Sequence, residues 1–586
     1  MKAVNKIFAS KFWWLLLVVI LFAINYFASV VHYRLDLTKE KRYTLSKATK
    51  ELLRKLDDDV QIDVFLKGDF PSGFRKLANS TNDFLQLIKD QNVRRVHIQF
   101  ISPEEEVPST NRMKYGDTLV GLGANPINLT VQLKEGQRQN YVFPVALIHY
   151  KGKQKLVNLY SGSNRIISQN ETNNAEALLE YQFISALDKL ENDEKPVVVY
   201  ATGNGEPELT DLRTYDLQQI LLKDYRLAKF DLSKQPFISN AIQAMIIVKP
   251  STQFTEEEKF KLDQYVMHGG KLLCFIDNLF AESDSLFYKP QLIAFDRNLN
   301  LTDLFFNYGV RINTDLVMDL QCETIPFVVG GSANNPQQEF LKWNYYPLFS
   351  SDENSTITKD IGLIGGRFVN SMDTIKNETV KKTILLSSSS NSRTIGTPAL
   401  ISLNENRNTP QDEKFNKGNI PVAVLLEGNF SSFYKYRVTQ QQKDTLAKYN
   451  VPLLSSSGEN KVIIAADGDM VLNELLPGEE PGNQPTPLPM GWNRYTYLAY
   501  EQQTESGKYF IPVSNRDFFQ NCLEFLVANP DIIATRNKNI ILRLLDSKKI
   551  DAQKTTWQFV NISLPVLLII LIGLIYQQIR KRKYTR

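Results

Sequence analysis

Residues Phe12 to Val31, FWWLLLVVILFAINYFASVV, cross a bilayer's depth without a single charge. At about 1.5 Å rise per residue, a run of about twenty residues reaches about 30 Å, so it is expected to form a transmembrane helix. The run outlasts the apolar core of a cleaved signal, and Tyr26 and Phe27 stand where a cleavage site needs small residues. Trp13, Trp14, Tyr26 and Tyr33 sit near its ends, where amphipathic rings favour the headgroup level.

The far end of the chain repeats the pattern. Phe559 to Tyr576, FVNISLPVLLIILIGLIY, is uncharged and is followed by Arg580, Lys581, Arg582, Lys583 and Arg586. Lys2, Lys6 and Lys11 precede the first run. Basic flanks stay on the cytoplasmic side, so both termini are expected in the cytoplasm and the chain between them in the periplasm of a bacterial inner-membrane protein. Asn25 and Asn561 place amides at membrane depth, where they suit hydrogen bonds to a neighbouring helix.

The stretch between the helices has the composition of a folded ectodomain. The chain is 43% hydrophobic and 23% charged, and much of its net +4 sits at the termini, so nothing favours a nucleic-acid partner. Cys274, Cys322 and Cys522 are an odd, widely spaced trio in apolar contexts, which suits buried hydrophobes better than a disulfide framework.

Hydrophobic periodicity divides the ectodomain. Val60 to Leu66 alternates like a strand, a helix is expected near Phe74 to Gln91 and a strand at Val96 to Ile101, and further strand-like runs follow to Leu159. Asn173 to Leu190 reads as an amphipathic helix. PVVVYA at Pro196 to Ala201, Ala244 to Val248 and Lys271 to Ile276 are continuous apolar runs separated by helical patterns, the mark of a parallel sheet covered on both faces. Thr255 and Glu258 form a capping box, and Gly269-Gly270 end that helix. Pro421 to Leu426 and Lys461 to Ala466 are candidate strands to complete the sheet. KWNYYPLF at Lys342 to Phe349 suits a core cluster, Ser387 to Gly418 a long polar loop, and PGEEPGNQPTPLP at Pro477 to Pro489 an extended loop.

The expected fold is α/β: a membrane-anchored periplasmic ectodomain with a Rossmann-like, mostly parallel sheet domain, a smaller N-terminal α/β domain, and one transmembrane helix at each terminus. The corresponding segments are a cytoplasmic N-terminus (1–11), a transmembrane helix (12–31), the N-terminal domain (32–165), the Rossmann-like domain with insertions (166–475), a Pro-rich and membrane-proximal segment (476–557), a second transmembrane helix (558–577) and a basic tail (578–586).

DLTKEKRYTLSKAT at Asp36 to Thr49, TGNGEPE at Thr202 to Glu208, the run KPSTQFTEEEKFKLDQYVMHGGKLLCFID from Lys249 to Asp277, and the helix at each end together resemble the GldG family. Its members are membrane-anchored auxiliary components of ABC transporters linked to gliding motility in Bacteroidetes. The resemblance covers nearly the whole chain. It implies a permease partner and, through the permease, a cytoplasmic ATPase, and it supplies no substrate.

Gly203, Asn204, Gly205, Glu206 and Glu208 follow a strand and precede a helix, the setting of a dinucleotide fingerprint, but Glu208 replaces the third glycine and both acids would repel a pyrophosphate. A cation, a sugar hydroxyl or a partner's Lys or Arg suits this turn better. Asp277, and Asp467 with Asp469, follow other strands at the edge where open α/β sheets bind ligands. These eight residues are the candidate ligand or partner loops. No G-x-x-x-x-G-K-[ST] occurs, so this chain is not the ATPase; His32, His97, His149 and His268 are scattered; no metal or cofactor is expected. Cys274 lies inside a strand, away from a nucleophile elbow.

The sequence therefore points to a non-enzymatic ABC transporter component that docks on the permease and binds a small-molecule substrate or an envelope protein. Two alternatives stand beside it: a glycan- or peptide-acting hydrolase using Glu206, Glu208 and Asp277, which needs converging carboxylates, and a structural envelope linker.

Overall fold

The computed structural model describes residues 44–537, except 69, 103–111, 125–126, 134–135, 161–168, 193, 333–334, 352–354, 360, 404–411, 479–482 and 496–512, together with 547–584 and positions 18, 19, 21, 22, 25 and 36. The chain separates into two compact units, Tyr43–Lys538 and a terminal unit of Met1–Arg42 with Asn539–Arg586.

The larger unit opens with α1 (Lys47–Lys55), β1 (Val60–Val64), α2 (Ser72–Gln91), β2 (Val96–Phe100), β3 (Val145–Tyr150), β4 (Lys153–Asn158) and α3 (Gln169–Glu191). Ser46 caps α1 through the Thr49 amide. The strands form a sheet ordered β2-β1-β3-β4. Because α2 carries the chain from β1 to β2, that pair is parallel, while β1·β3 and β3·β4 are antiparallel. Val60, Ile62 and Val64 point inward from β1 and meet Leu77, Leu85 and Ile88 of α2 and Leu179, Phe183, Ile184 and Leu187 of α3 in one core. The helix expected at Asn173 to Leu190 thus packs on this first sheet.

Then come β5 (Val197–Thr202), α4 (Tyr215–Asp224), β6 (Arg226–Asp231), β7 (Ala244–Val248), α5 (Glu256–Met267), β8 (Lys271–Phe275), β9 (Leu279–Phe280), β10 (Gln291–Asp296) and α6 (Thr302–Tyr308). They are followed by β11 (Cys322–Ser332), β12 (Asn335–Ser351), β13 (Val380–Ser387), β14 (Ala399–Ser402), β15 (Pro421–Ser431), β16 (Ser456–Ala465) and α7 (Asn515–Val527). The largest sheet among the described residues has ten strands, with the path β11-β12-β13-β15-β16-β8-β7-β5-β6 and a two-residue strand beside β12. From β6 to β16 neighbours are parallel; from β16 to β11 they are antiparallel. The parallel half is what the helix-separated apolar runs predict. The antiparallel half arises because β11 to β13 and β15 follow one another with strands and turns between them rather than crossover helices.

Both faces of the parallel half are covered. Leu217, Ile220 and Leu221 of α4 and Phe518, Phe519, Cys522 and Leu523 of α7 share a core with Val198, Ile246, Leu273 and Ile463. Leu262, Tyr265 and Val266 of α5 and Leu304 and Phe305 of α6 share the other with Val199, Ile247, Leu272 and Ile464. The α5 capping box forms as its sequence requires. Trp343, Tyr345, Tyr346 and Phe349 are buried, the core role expected for that run.

The polar stretch from Ser387 to Gly418 is not one loop. Ser392–Gly396 pairs with Asp315–Asp319, and β14 pairs with β10 in a small sheet ordered β9-β10-β14. These strands gain their partners from distant segments, so the local Ser/Asn-rich composition misleads.

In the terminal unit, α8 (Ser547–Tyr584) contains a stretch, Gln553–Arg582, whose most apolar 18-residue window has mean hydropathy 2.5, long and apolar enough to cross a membrane. Its large side chains, among them Phe559, Ile562 and Ile569, are exposed. The N-terminal run at residues 12–31 falls largely outside the described residues.

Candidate functional site

Three parallel strands end side by side and deliver one charged residue each, or two, to a common edge. Lys249 follows β7 with a left-handed φ of 45°, its amide donating to Phe275 O at 2.8 Å. Asp277 follows β8, and Asp467 and Asp469 follow β16. The carboxylates of Asp277, Asp467 and Asp469 lie within 4.8 Å of one another. Lys249 Nζ enters this group, 2.6 Å from Asp469 Oδ1, 3.3 Å from Asp277 Oδ2 and 3.0 Å from Glu282 Oε2.

Backbone donors complete the cluster. Gly468 N donates to Asp277 Oδ1, Asp469 N to Asp467 Oδ1 at 2.7 Å, and Arg367 N to Asp467 Oδ2 at 2.8 Å. Outward, Arg297 pairs with Glu282 and donates to Leu279 O at 2.9 Å. Glu474 pairs with both Arg367 (3.3 Å) and Arg494 (2.7 Å).

The electrostatics follow from burial and from who faces whom. Burial pushes the Asp277 carboxyl up to about 6 against the pull of Lys249, and it pushes Asp467 well above the usual range, helped by Asp277 and Asp469. Asp469 is equally buried, yet Lys249 and Arg367 outweigh that and hold it below the ordinary carboxylate value. Burial would lower Lys249, but Asp469, Asp277 and Glu282 raise it, so it stays an ammonium. Three oxygen ligands would suit a hard cation. Here the Lys249 ammonium already supplies a positive charge to Asp277 and Asp469, while backbone amides hold Asp467. A buried charge is tolerated only when so paired.

The turn after β5 is built differently. Gly203 and Gly205 adopt φ of 115° and 75°, and a Cβ on Gly205 would stand 2.1 Å from Ser251 Oγ. Asn204 O accepts from Ser251 N and Thr252 N, Asn204 N donates to Glu206 Oε2 at 2.8 Å, and Asn204 Nδ2 donates to Glu258 Oε2 at 3.1 Å. Glu206 is buried, and burial raises its carboxyl above the usual range. Glu208 is exposed and pairs with Lys229 at 2.7 Å.

The described contacts thus bring Asp277, Asp467 and Asp469 together and leave Glu206 and Glu208 on separate partners. The converging carboxylates needed for a hydrolase from Glu206, Glu208 and Asp277 do not form among them. Burial pushes the Cys274 and Cys322 thiols up to about 12 and Cys522 well above the ordinary thiol value, a poor state for a nucleophile. Asn561 is exposed on α8, and Asn25 is exposed at one of the few described positions of the N-terminal run. The sequence also missed Lys249, Glu282, Arg297 and Arg367 as members of the edge. Lys249 carried a signal, since it follows an apolar strand just as Asp277 and Asp467 do, whereas Arg367 comes from a distant turn without one.

A family model described as an ABC-type uncharacterized transport system matches residues 195–522. A second, a domain of unknown function, matches residues 39–149. A Borreliella burgdorferi protein described as "Uncharacterized protein" is 24% identical over 439 residues, which is 72% of this chain and 78% of that protein. Among solved structures, the mmIFT52 N-terminal domain aligns at TM-score 0.31 and 11% identity over 57% of this chain and 98% of that one. An exo-beta-1,4-mannosidase from Opitutaceae bacterium strain TAV5 aligns at TM-score 0.22 and 10% identity over 80% of this chain and 52% of that one.

Proposed function

The chain belongs to the ABC-type uncharacterized transport system family, and from that premise we propose that it is a membrane-anchored, non-enzymatic periplasmic component that docks on the permease of an ABC transporter. The observation that carries this reading is the extent of the family match, which takes in every strand of the ten-stranded sheet, joined in one chain to the apolar helix α8. The likeness of residues 36–49, 202–208 and 249–277 to GldG favours a complex serving gliding motility or the export that supports it. The basic residues Arg580 to Lys583, which follow the apolar run of α8, favour a cytoplasmic C-terminus.

In this reading the ectodomain binds a substrate or an envelope protein, and ATP-driven changes reach it through helices touching the permease. A non-catalytic role is supported by the carboxylates themselves, since Lys249 already engages Asp277 and Asp469, and the Arg367 and Asp469 amides hold Asp467. The test is affinity purification of the tagged full-length chain from its own membrane in mild detergent, with mass spectrometry of what accompanies it. A permease and an ATPase in stoichiometric amounts are expected. Recovery of the chain without them overturns the reading.

A further inference from the structure

The turn after β5 stands where the strand order of the large sheet reverses. The parallel half runs β6-β5-β7-β8-β16, so the chain leaves β5 for a neighbour on one side and then crosses to β7 on the other. In open parallel sheets, ligands bind outside the carboxyl ends of the strands at this reversal. Here the turn at 203–208 and the loop after β7 border it. Asn204 O joins the two by accepting from Ser251 N and Thr252 N.

Asn204 also gathers two acids. Its backbone N–H donates to Glu206 Oε2, and its Nδ2 donates to Glu258 Oε2 of α5. Asn204, Glu206 and Glu258 are only 2%, 8% and 5% exposed. Lys259, next to Glu258 in the chain, is paired with Glu256 and Asp303 instead. Two buried oxygens of this cluster, Asn204 Oδ1 and Glu206 Oε1, accept from no group among the described residues. The carboxylate of Glu258 fixes which way the amide faces, since only Nδ2 can donate to it, so the orphan is the amide oxygen. A buried acceptor without a donor is costly, and a buried carboxylate without a counter-charge more so. Burial raises the Glu206 carboxyl; backbone amides oppose the rise, and Glu258 and Asp231 add to it. The cluster thus differs from the one around Lys249, which contains its own ammonium.

We propose that Asn204 Oδ1, Glu206 and Glu258 hold a calcium ion in this turn. The side chains offer oxygen alone, the donor set of a hard cation, and calcium accepts amide carbonyls and carboxylates together. Two carboxylates balance its charge. Asn204 and Glu206 stand two apart in a loop, the alternation by which calcium loops turn successive ligands to one ion. Gly203 and Gly205, on either side of Asn204, are exposed, so the way in from solvent is short. A site of this kind leaves no His or Cys spacing in the sequence, which is why a search for such spacing gives no expectation of a metal. The inference does not depend on the transporter assignment.

The test uses the full-length chain in mild detergent, freed of metal with a chelator that is then removed, and titrated with calcium chloride by calorimetry. One ion per chain is expected. Glu206→Gln keeps the shape of the side chain and removes its charge, and Asn204→Ser removes the amide oxygen; each is expected to bind calcium about tenfold more weakly, or worse. Glu459→Gln, at an exposed acid of β16, is the control and is expected to bind as the wild type does. Near-UV circular dichroism without metal establishes that each chain is folded before titration. If one variant fails to fold, the other reads the same site. A folded wild type that takes up no calcium overturns the proposal. So does uptake that is unchanged in either folded variant, which would place the ion elsewhere.

Discussion

At the scale of single residues, Lys249 is a buried charge held by several opposite ones. Its ammonium touches three carboxylates in a site almost closed to solvent, the circumstance in which removing one partner costs most. Lys249→Met is expected to lower unfolding stability by about 3–5 kcal/mol at pH 7, because the buried carboxylates lose their counter-charge. The sign of the pH dependence follows. Asp469 is held below its unfolded value by Lys249, so its contribution is whole above the carboxylate range and is lost as pH falls through it. The gap between wild type and Lys249→Met should therefore be widest near neutrality and close toward pH 3, as read by denaturant titration of the detergent-solubilised chain. A gap of constant size across that range would mean that Lys249 acts through packing rather than charge. The same residue shows why only part of the edge was legible. Asp277, Asp467 and Asp469 stand out in sequence because acids directly after apolar strands are conspicuous. Whether they meet a ligand or a lysine depends on how three strands align, and Lys249-Pro250 alone looks like the start of a loop.

At the scale of elements, the segments that could be recognised were those whose local chemistry agrees with their final surroundings. Ala244–Val248 is apolar throughout because both faces of the sheet are covered, and the α5 capping box forms because Thr255 and Glu258 satisfy each other's backbone. Ser392–Gly396 and β14 escaped because their partners, Asp315–Asp319 and β10, lie far away in sequence. The junction between the first sheet and the large one was equally invisible, since beside Phe525 of α7, which packs against both cores, it rests on charges paired across distant segments. Lys155 of β4 and Lys189 of α3 both pair with Asp224 of α4, and Lys189 reaches Glu524 of α7 at 2.7 Å. Burial alone would raise Asp224, but Lys189 and Lys155 outweigh it and hold the carboxyl at about 2. Because its folded value lies below the unfolded one, its contribution is complete above about pH 4 and is lost as pH falls toward 2. Asp224→Asn is expected to cost on the order of 2 kcal/mol at pH 7 and nearly nothing at the acid end. If the variant stays as stable as wild type at pH 7, the pair does not hold these elements together.

At the scale of the whole molecule, the division between the two units makes a claim about where the folding information lies. The three largest cores, the two largest sheets and the charged edge all fall within Tyr43–Lys538, and α7, near the end of that span, packs into the core of the large sheet. The terminal unit contributes α8, whose apolar side chains are exposed along its length and therefore need hydrocarbon or a partner helix rather than water. A chain limited to residues 43–538 is thus expected to stay in solution without detergent and to unfold in one or a few cooperative steps. Restoring residues 539–586 should move it to the membrane fraction. The comparison is made by ultracentrifugation of lysates and by far-UV circular dichroism of the shorter chain during denaturant titration. Aggregation of residues 43–538, or a spectrum lacking cooperative loss of structure, would show that the larger unit draws part of its stability from the terminal segments. Cooperative unfolding in buffer, with membrane recovery only when α8 is present, would assign folding to one unit and anchoring to the other. It would also allow ligands and partners of the ectodomain to be sought without lipid.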